Sequence, residues 1–253
     1  MFLNQLNITP ASKAREIVEL DYRTATVFDE YGISYCCGIQ RPLEEVCANQ
    51  QVNVDNLITA LQKATRPISI SGQTAFENWP VEFLIDYIVN IHHHYLNETL
   101  PILSEGLIAF TNEHKNRFPA INELNAVFQK FATANPAHLI QEEENIFPYL
   151  RQVAHAYQDE DTSSFAPLLI KTLRKPLAVF MDQDHQILQD SILQFRQFTN
   201  NYAPLSGICP SHKVLLAKLR ELDNDMVQHF HLENDILIPK VIRMEQELLQ
   251  RNN

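Results

Sequence analysis

Four long stretches in the C-terminal two thirds of the chain carry apolar residues at steps of three and four. Breaks at 115–119, 158–164 and 200–207 separate them. Such steps place apolar side chains on one face of a helix, so the pattern predicts an up-down four-helix bundle. The stripes are Ile85, Val89, Leu96, Leu100, Leu103 and Leu107; Leu124, Phe128, Phe131 and Tyr149; Ala178, Met181, Leu188, Ile192 and Phe195; and Leu215, Leu219, Leu222, Met226 and Ile236.

The N-terminal part has shorter helical patterns and a break rich in turn residues. Asn53 is placed to cap a helix over VDNLITALQKA,. The segment after it contains prolines, a glycine and small polar residues without a sustained period,. We therefore predict a small helical domain over 1–65, a linker over 66–78 that proteases cut first, and the bundle over 79–253.

The composition limits the kinds of partner that the protein is expected to bind and the cell compartment in which it is expected. The chain has 253 residues, only 5 glycines and a formal charge of −11. An acidic, evenly mixed surface argues against nucleic acid and anionic membranes as partners. The first residues lack the pattern of a secretory signal, and no apolar run approaches the ~18 residues of a membrane-spanning helix. We expect a cytoplasmic protein without a disulfide framework.

Histidine interrupts each of the four apolar stripes. The interruptions are His93 or His92 in the first stripe, His138 in the second, His185 in the third and His229 in the fourth. Two segments share one layout, HLIQEEENIFP from 138 and HFHLENDILIP from 229, with Glu142 and Glu233 four residues after the histidine. A spacing of four puts each His–Glu pair on one helix face.

The four histidines are predicted to lie in one layer of the bundle. Each is roughly 20 to 25 residues from the turn that joins its helix to the next, so antiparallel helices bring them to similar heights,. A single buried histidine is more often a hydrogen-bonded core residue than a ligand. Four in one layer with two buried carboxylates instead indicate a metal site, because burying carboxylates without a cation costs several kcal/mol each.

The ligand set indicates which metal the layer would hold. Six nitrogen and oxygen ligands without sulfur exceed what one tetrahedral zinc takes, whereas imidazole and carboxylate suit iron or manganese. Two irons with two imidazoles each and two shared carboxylates keep positions open for oxo, dioxygen or nitric oxide. The order His-x-x-x-Glu differs from the Glu-x-x-His of ferritin-like proteins and indicates a hemerythrin-like centre. His94, His155, His212 and His231 are interpreted as surface or outer residues, and His114 is predicted to lie ~30 Å along the helix from His93,.

The segment DYRTATVFDEYGISYCCGIQRPLEEVC, followed by HHHYLNETLP, HLIQEEENIFP, MDQDH and HFHLENDILIP, resembles the iron–sulfur cluster repair di-iron proteins of the repair-of-iron-centres (YtfE/ScdA-type) family. The resemblance covers nearly the whole chain. It implies a hemerythrin-like bundle behind a small N-terminal domain, and it selects His93 over His92. It carries over the ligands His93, His138, Glu142, His185, His229 and Glu233.

The resemblance also implies a function. A cytoplasmic homodimer would restore iron–sulfur proteins damaged by oxidative or nitrosative stress, by supplying iron or by handling nitric oxide at an oxo- and carboxylate-bridged pair of iron ions. The alternative is a hemerythrin-like protein that binds or senses dioxygen or nitric oxide without repair. Cys36 and Cys37 are adjacent; they are either small turn residues or an exposed thiol pair that accepts a metal or nitric oxide. Cys47 and Cys209 are interpreted as isolated structural residues.

Overall fold

The structure, a computed structural model, describes residues 7–36, 41–65, 75–114, 118, 120–158, 185–203 and 208–251. Within these ranges the protein is all-α, because every regular element is a helix and the pairing of Lys13 with Pro42 is an isolated antiparallel bridge. The predicted fold class is confirmed.

Four of the described α-helices lie before residue 65 and seven lie after it. They are α1 Ala14–Leu20, α2 Thr24–Glu30, α3 Leu43–Gln50, α4 Val54–Ala64, α5 Val81–Tyr87, α6 His94–His114, α7 Ile121–Gln141, α8 Phe147–Gln158, α9 over residues 185–198, α10 Pro210–Phe230 and α11 Ile238–Arg251. Three π-helical segments join consecutive α-helices without a break: π1 Ile88–His93, π2 Glu142–Ile146 and π3 His231–Leu237.

The chain divides into two compact units. The first contains residues up to Gly72 together with Tyr202–Leu219, and the second contains Gln73–Asn201 and Arg220–Asn253. This grouping differs from the predicted division in one respect: the first half of α10 belongs with the N-terminal helices. The reason is visible in the core of the first unit, where Val214 joins the buried cluster around Phe28 and Leu57.

Within the first unit, α4 begins where the sequence predicts it. The Asn53 side chain accepts a 3.0 Å hydrogen bond from the backbone N–H of Asn56, which satisfies one of the free donors at the helix start,. Leu57 and Leu61, four residues apart on α4, are completely buried. The cap and the apolar face therefore come from the same short stretch.

The second unit contains four helical stretches that run antiparallel in sequence order. The first is α5–π1–α6, the second α7–π2–α8, the third α9, and the fourth begins in the later part of α10 and continues through π3 and α11. Paired contacts show the directions: Ser104 meets Gln129 at 2.7 Å while His93 meets Glu143 at 2.7 Å, so one number rises as the other falls. The ion pair between Arg196 and Asp223 and the 3.0 Å contact between His185 and Asn234 show the same for α9 and the fourth stretch.

Two prolines and part of the predicted linker lie in the second unit. Pro101 and Pro136 lie inside α6 and α7, and neither proline ends its helix. Of the predicted linker, residues 66–74 lie outside the described residues, whereas Phe76–Asn78 form a short 3-10 helix whose Phe76 packs on the core of the second unit. No helix in the described ranges is long and apolar enough to cross a membrane.

Candidate metal centre

The structure brings six side chains together in the interior of the second unit. They form two overlapping groups: His93, Glu142, His229 and Glu233, and His138, Glu142, His185 and Glu233. Within each group the potential ligand atoms lie within 4.8 Å of one another. Glu142 and Glu233 belong to both groups, so the arrangement offers two imidazoles to each of two cations and two carboxylates to share.

The distances around the two carboxylates show how close the six groups are. Glu142 has imidazole Nε2 atoms at 3.4 Å from His93, 3.2 Å from His138 and 3.3 Å from His185. Glu233 has the Nε2 atoms of His229 at 3.0 Å and of His185 at 3.4 Å. All six residues are buried, and Glu142, His229 and Glu233 have no exposed surface at all.

The backbone at the site is not regular α-helix. π1 ends at His93, π2 begins at Glu142, and π3 covers Glu233. The sequence interpretation treated 229–239 as a regular helix, and this is wrong for His231–Leu237. A π segment has a wider turn than an α-helix, and such segments are frequent at functional sites. Here all three coincide with residues of the six-membered cluster.

Neighbouring polar groups fix the orientation of two imidazoles. Nδ1 of His93 lies 2.7 Å from a carboxylate oxygen of Glu143, and Nδ1 of His185 lies 3.0 Å from the amide oxygen of Asn234. A nitrogen that donates its proton outward leaves Nε2 to face the centre of the cluster. Metal-binding histidines are typically held in this way.

The choice between His92 and His93 follows from the same contacts. His93 reaches Glu142, whereas Nδ1 of the equally buried His92 lies 2.9 Å from Asp225. The His92 ring also stacks on His229 with the ring centres 5.7 Å apart. His92 therefore belongs to the shell around the cluster rather than to its centre.

The remaining histidines do not enter the two groups. His231 points outward, with half of its side chain exposed and Nδ1 at 2.7 Å from Asp235. His114 stacks on Phe110 at the end of α6, and His155 is mostly exposed beside Glu82. His94 is exposed. His212 is buried in the first unit, so it is not a surface residue, which was one of the two positions that the sequence interpretation allowed.

Burial and mutual repulsion give the two central carboxyl groups opposite pKa shifts. Burial opposes ionisation of Glu142, but the hydrogen bond with His185 and the close contact with His93 hold its pKa well below the usual range. Burial and the negative charge of Glu142 raise the pKa of Glu233 well above its ordinary value. Two facing buried carboxylates cannot both be charged without nearby cations.

The pKa values of the imidazoles are also shifted in opposite directions. Burial opposes protonation of His93 and His185, yet their contacts with Glu142 raise the pKa of both above the ordinary value. Burial lowers the pKa of His229 to about 3. The metal-free cluster therefore holds protons on some of the atoms that a metal would need, while His229 is already in the neutral form that binds metal.

The donor atoms fit a pair of cations. Nε2 of His93, Oε2 of Glu142 and Oε2 of Glu233 are completely buried and make no hydrogen bond. Buried polar atoms without partners are costly, and such an atom in a native interior calls for an explanation such as an ion. Nitrogen and oxygen donors of this kind suit iron or manganese, and the two overlapping groups contain no sulfur,.

Cys36, Cys47 and Cys209 lie in the first unit. Cys36 is partly exposed, and Cys37 is outside the described residues. Cys209 is not isolated as the sequence interpretation assumed, because its thiol is in hydrogen-bond contact with the thiol of Cys36 and also receives the backbone N–H of His212. The two cysteines are 173 positions apart in sequence, and nothing in the sequence indicated this contact. Cys47 is buried in the core, where burial raises its pKa.

The fold and the buried cluster together define an all-α protein with a His/Glu site suited to two metal ions. Residues 11–65 match the ScdA_N family, described as a domain of unknown function, DUF542. The chain is 26% identical over 233 residues to the iron-sulfur cluster repair protein ScdA of Staphylococcus haemolyticus, covering 92% of this chain and 99% of that protein. It is also similar to the iron-sulfur cluster repair proteins YtfE of Pectobacterium atrosepticum (25% identity; 88% and 93% covered) and Escherichia coli O81 (24%; 88% and 93%). Over nearly its whole length the chain is therefore similar to ScdA- and YtfE-type proteins, in agreement with the resemblance in its sequence.

Proposed function

We propose that the protein is a di-iron protein that repairs iron–sulfur clusters damaged by oxidative or nitrosative stress. The observation that carries the proposal is the pair of overlapping His/Glu groups buried in the second unit. Relatives that span nearly the whole chain are named iron-sulfur cluster repair proteins, which supports the same activity here. Supply of iron, handling of nitric oxide, or both, would be the chemical contribution.

The ligands proposed for the two irons are His93 and His229 on one side, His138 and His185 on the other, and Glu142 and Glu233 between them. A bound iron pair supplies redox chemistry and open positions for dioxygen or nitric oxide. The chain supplies two carboxylates that neutralise cationic charge and outer contacts that hold the imidazoles. All six side chains are themselves buried, which excludes bulk water from the centre.

The partners follow from the proposed activity. They are damaged iron–sulfur proteins, with nitric oxide or dioxygen as small ligands, and the protein would act in the cytoplasm as a homodimer. The N-terminal domain over 1–65 and the bundle over 79–253 are proposed as its functional parts. Cys36 and Cys37 as acceptors of a metal or nitric oxide remain a prediction from the sequence.

The alternative, a protein that binds or senses dioxygen or nitric oxide without repair, would need the same buried cluster. The match of residues 11–65 to ScdA_N favours repair, because a pure gas carrier has no need of this domain. Metal content alone therefore does not separate the two functions, and a repair assay is required.

The test begins with protein purified and reconstituted without oxygen. We expect about two irons per chain and, after oxidation, the absorption band of an oxo-bridged diferric pair. The iron-loaded protein should then restore activity to an enzyme whose iron–sulfur cluster has been damaged by nitric oxide, whereas the metal-free protein should not. One zinc per chain, with no iron after reconstitution, contradicts the di-iron centre; two irons without restored activity contradict repair and favour the alternative.

A further inference from the structure

One turn from each of the four central histidines lies a further buried residue. The positions are three residues from each histidine: Leu96 after His93, Asn135 before His138, Leu188 after His185 and Met226 before His229. Residues three apart share a helix face. Because neighbouring stretches run antiparallel, these four positions form one layer next to the histidines, and each is at most 2% exposed.

This layer lies on the opposite side of the histidines from the two glutamates. Glu142 and Glu233 follow their histidines by four residues, whereas Asn135 and Met226 precede the same histidines by three. At ~1.5 Å per residue, the two sets are separated along the helices by about 10 Å. If both carboxylates bridge a metal pair from one side, the open coordination positions face the layer that contains Asn135.

Asn135 is the polar exception in this layer. Its side chain has no exposed surface, and neither its amide nitrogen nor its amide oxygen makes a hydrogen bond. Leaving a buried polar group without partners destabilises the folded protein. The other three side chains of the layer are apolar, so they provide no hydrogen-bonding partner. A lone buried water would be poorly held there, because such waters typically need two to four polar partners.

A surface groove approaches this layer. It has a volume of about 310 Å³, lies between α6 and α7, and is lined by Leu96 and by both helix prolines, Pro101 and Pro136. Leu96 thus belongs both to this groove and to the layer that contains Asn135. The groove is therefore nearer to the Asn135 side of the histidines than to the glutamate side.

We propose that the Asn135 carboxamide hydrogen-bonds the small ligand held at the open positions of the metal pair and thereby helps to determine which ligands bind. Nδ2 donates to an anionic or strongly polar ligand atom, and Oδ1 accepts from a ligand that carries a proton. The inference rests on the proposed metal centre but not on repair activity. No covalent step is involved.

The test uses azide, a small anion, as the probe of the oxidised iron-loaded protein. Asn135→Leu replaces the amide by an apolar group of similar size, and Asn122→Leu makes the same change at an exposed position of the same helix. We expect both variants to keep two irons per chain. Azide affinity should fall about tenfold in Asn135→Leu alone, in line with the loss of one hydrogen bond.

Two further readouts do not depend on affinity. The vibrational frequency of bound azide should shift in heavy water for the wild type and not for Asn135→Leu. In the metal-free protein, Asn135→Leu should raise the thermal midpoint of unfolding, because the buried amide has lost its unsatisfied groups, whereas Asn122→Leu should not.

A second pair keeps the test decisive if leucine does not fit. Asn135→Thr and Asn135→Val have the same shape and differ only in a hydroxyl, so the threonine variant should bind azide more tightly. Equal azide affinity in this pair, or in wild type and Asn135→Leu, overturns the proposal. Iron loss from both Asn135→Leu and Asn135→Val also overturns it, since Asn135 would then support the ligands instead. If the wild type does not hold two irons, the proposed metal centre itself is wrong. That result differs from the azide results that overturn the role of Asn135.

Discussion

Two histidines in one short segment differ sharply in environment. His229 is completely buried and lies 3.0 Å from Glu233, whereas His231 is half exposed and contacts Asp235. We expect His229→Ala to lose or loosen an iron and to abolish repair. His231→Ala should leave iron content and the absorption spectrum nearly unchanged. Iron titration of the two variants side by side measures this, and equal iron loss would show that His231 also reaches the centre.

Glu233 should destabilise the metal-free protein at neutral pH. Its pKa is raised above the ordinary value of 4.5, so between that pH and its folded pKa the native state binds more protons than the unfolded state. Stability from this group is therefore present at low pH and lost as pH rises. Glu233→Gln removes the charge at nearly constant size.

We expect metal-free Glu233→Gln to unfold at a higher temperature than the wild type at neutral pH, with the difference shrinking as pH falls from the raised pKa of Glu233 towards 4.5,. The same variant should bind iron more weakly, because a shared negative charge is gone. Thermal unfolding across pH and iron titration check both parts. A variant less stable than the wild type at neutral pH would contradict the inference that the Glu233 carboxylate destabilises the metal-free protein.

At the scale of elements, the π segments connect helix geometry with ligand placement. A π segment accommodates one residue more than the α-helix it interrupts. Deleting the exposed Asn145 within π2 should therefore convert the segment to α-helix while α7 and α8 keep their faces. We expect the fold to survive and iron binding to be lost.

A matched deletion shows whether the π geometry matters. Lys130 is exposed in the regular part of α7, and its deletion rotates every later residue of the stretch by about 100°,. That change should unfold the bundle. Circular dichroism and iron content of the two deletions decide between the outcomes. Full iron binding after deletion of Asn145 would mean that the π turn has no part in the site.

The sequence predicted the helical fold more completely than the detailed geometry of the cluster. Steps of three and four were sufficient for the all-α class. The gaps in the stripes and the His–Glu spacing indicated five of the six residues that the structure brings together, and the family resemblance selected His93 as the sixth. The π segments could not be predicted from the sequence. Their one extra residue does not visibly change the spacing of apolar residues over a few helical turns. The distinction between His92 and His93 needed the positions of Asp225 and Glu143, which lie 133 and 50 residues away in sequence.

At the scale of the whole molecule, the six residues all lie in one of the two compact units. The N-terminal helices contribute none of them. We expect limited proteolysis to cut first between 66 and 78 and to leave a C-terminal fragment that retains its iron. Mass spectrometry of the fragment with iron analysis measures this. Metal loss on cleavage there would mean that the N-terminal part supplies ligands or is needed to hold them.

The opposed protonation of the six-residue cluster has a consequence for how it is loaded. His93, His185 and Glu233 have raised pKa values, so they keep protons that must leave when metal arrives. Iron uptake should therefore acidify a weakly buffered solution, and affinity should fall as pH falls through these raised values. A pH indicator dye recorded during iron addition measures the effect, and uptake without proton release would contradict it. Release of protons on uptake would mean that the cluster exchanges one kind of cation for another, so that the interior would not carry the full charge of two bare carboxylates.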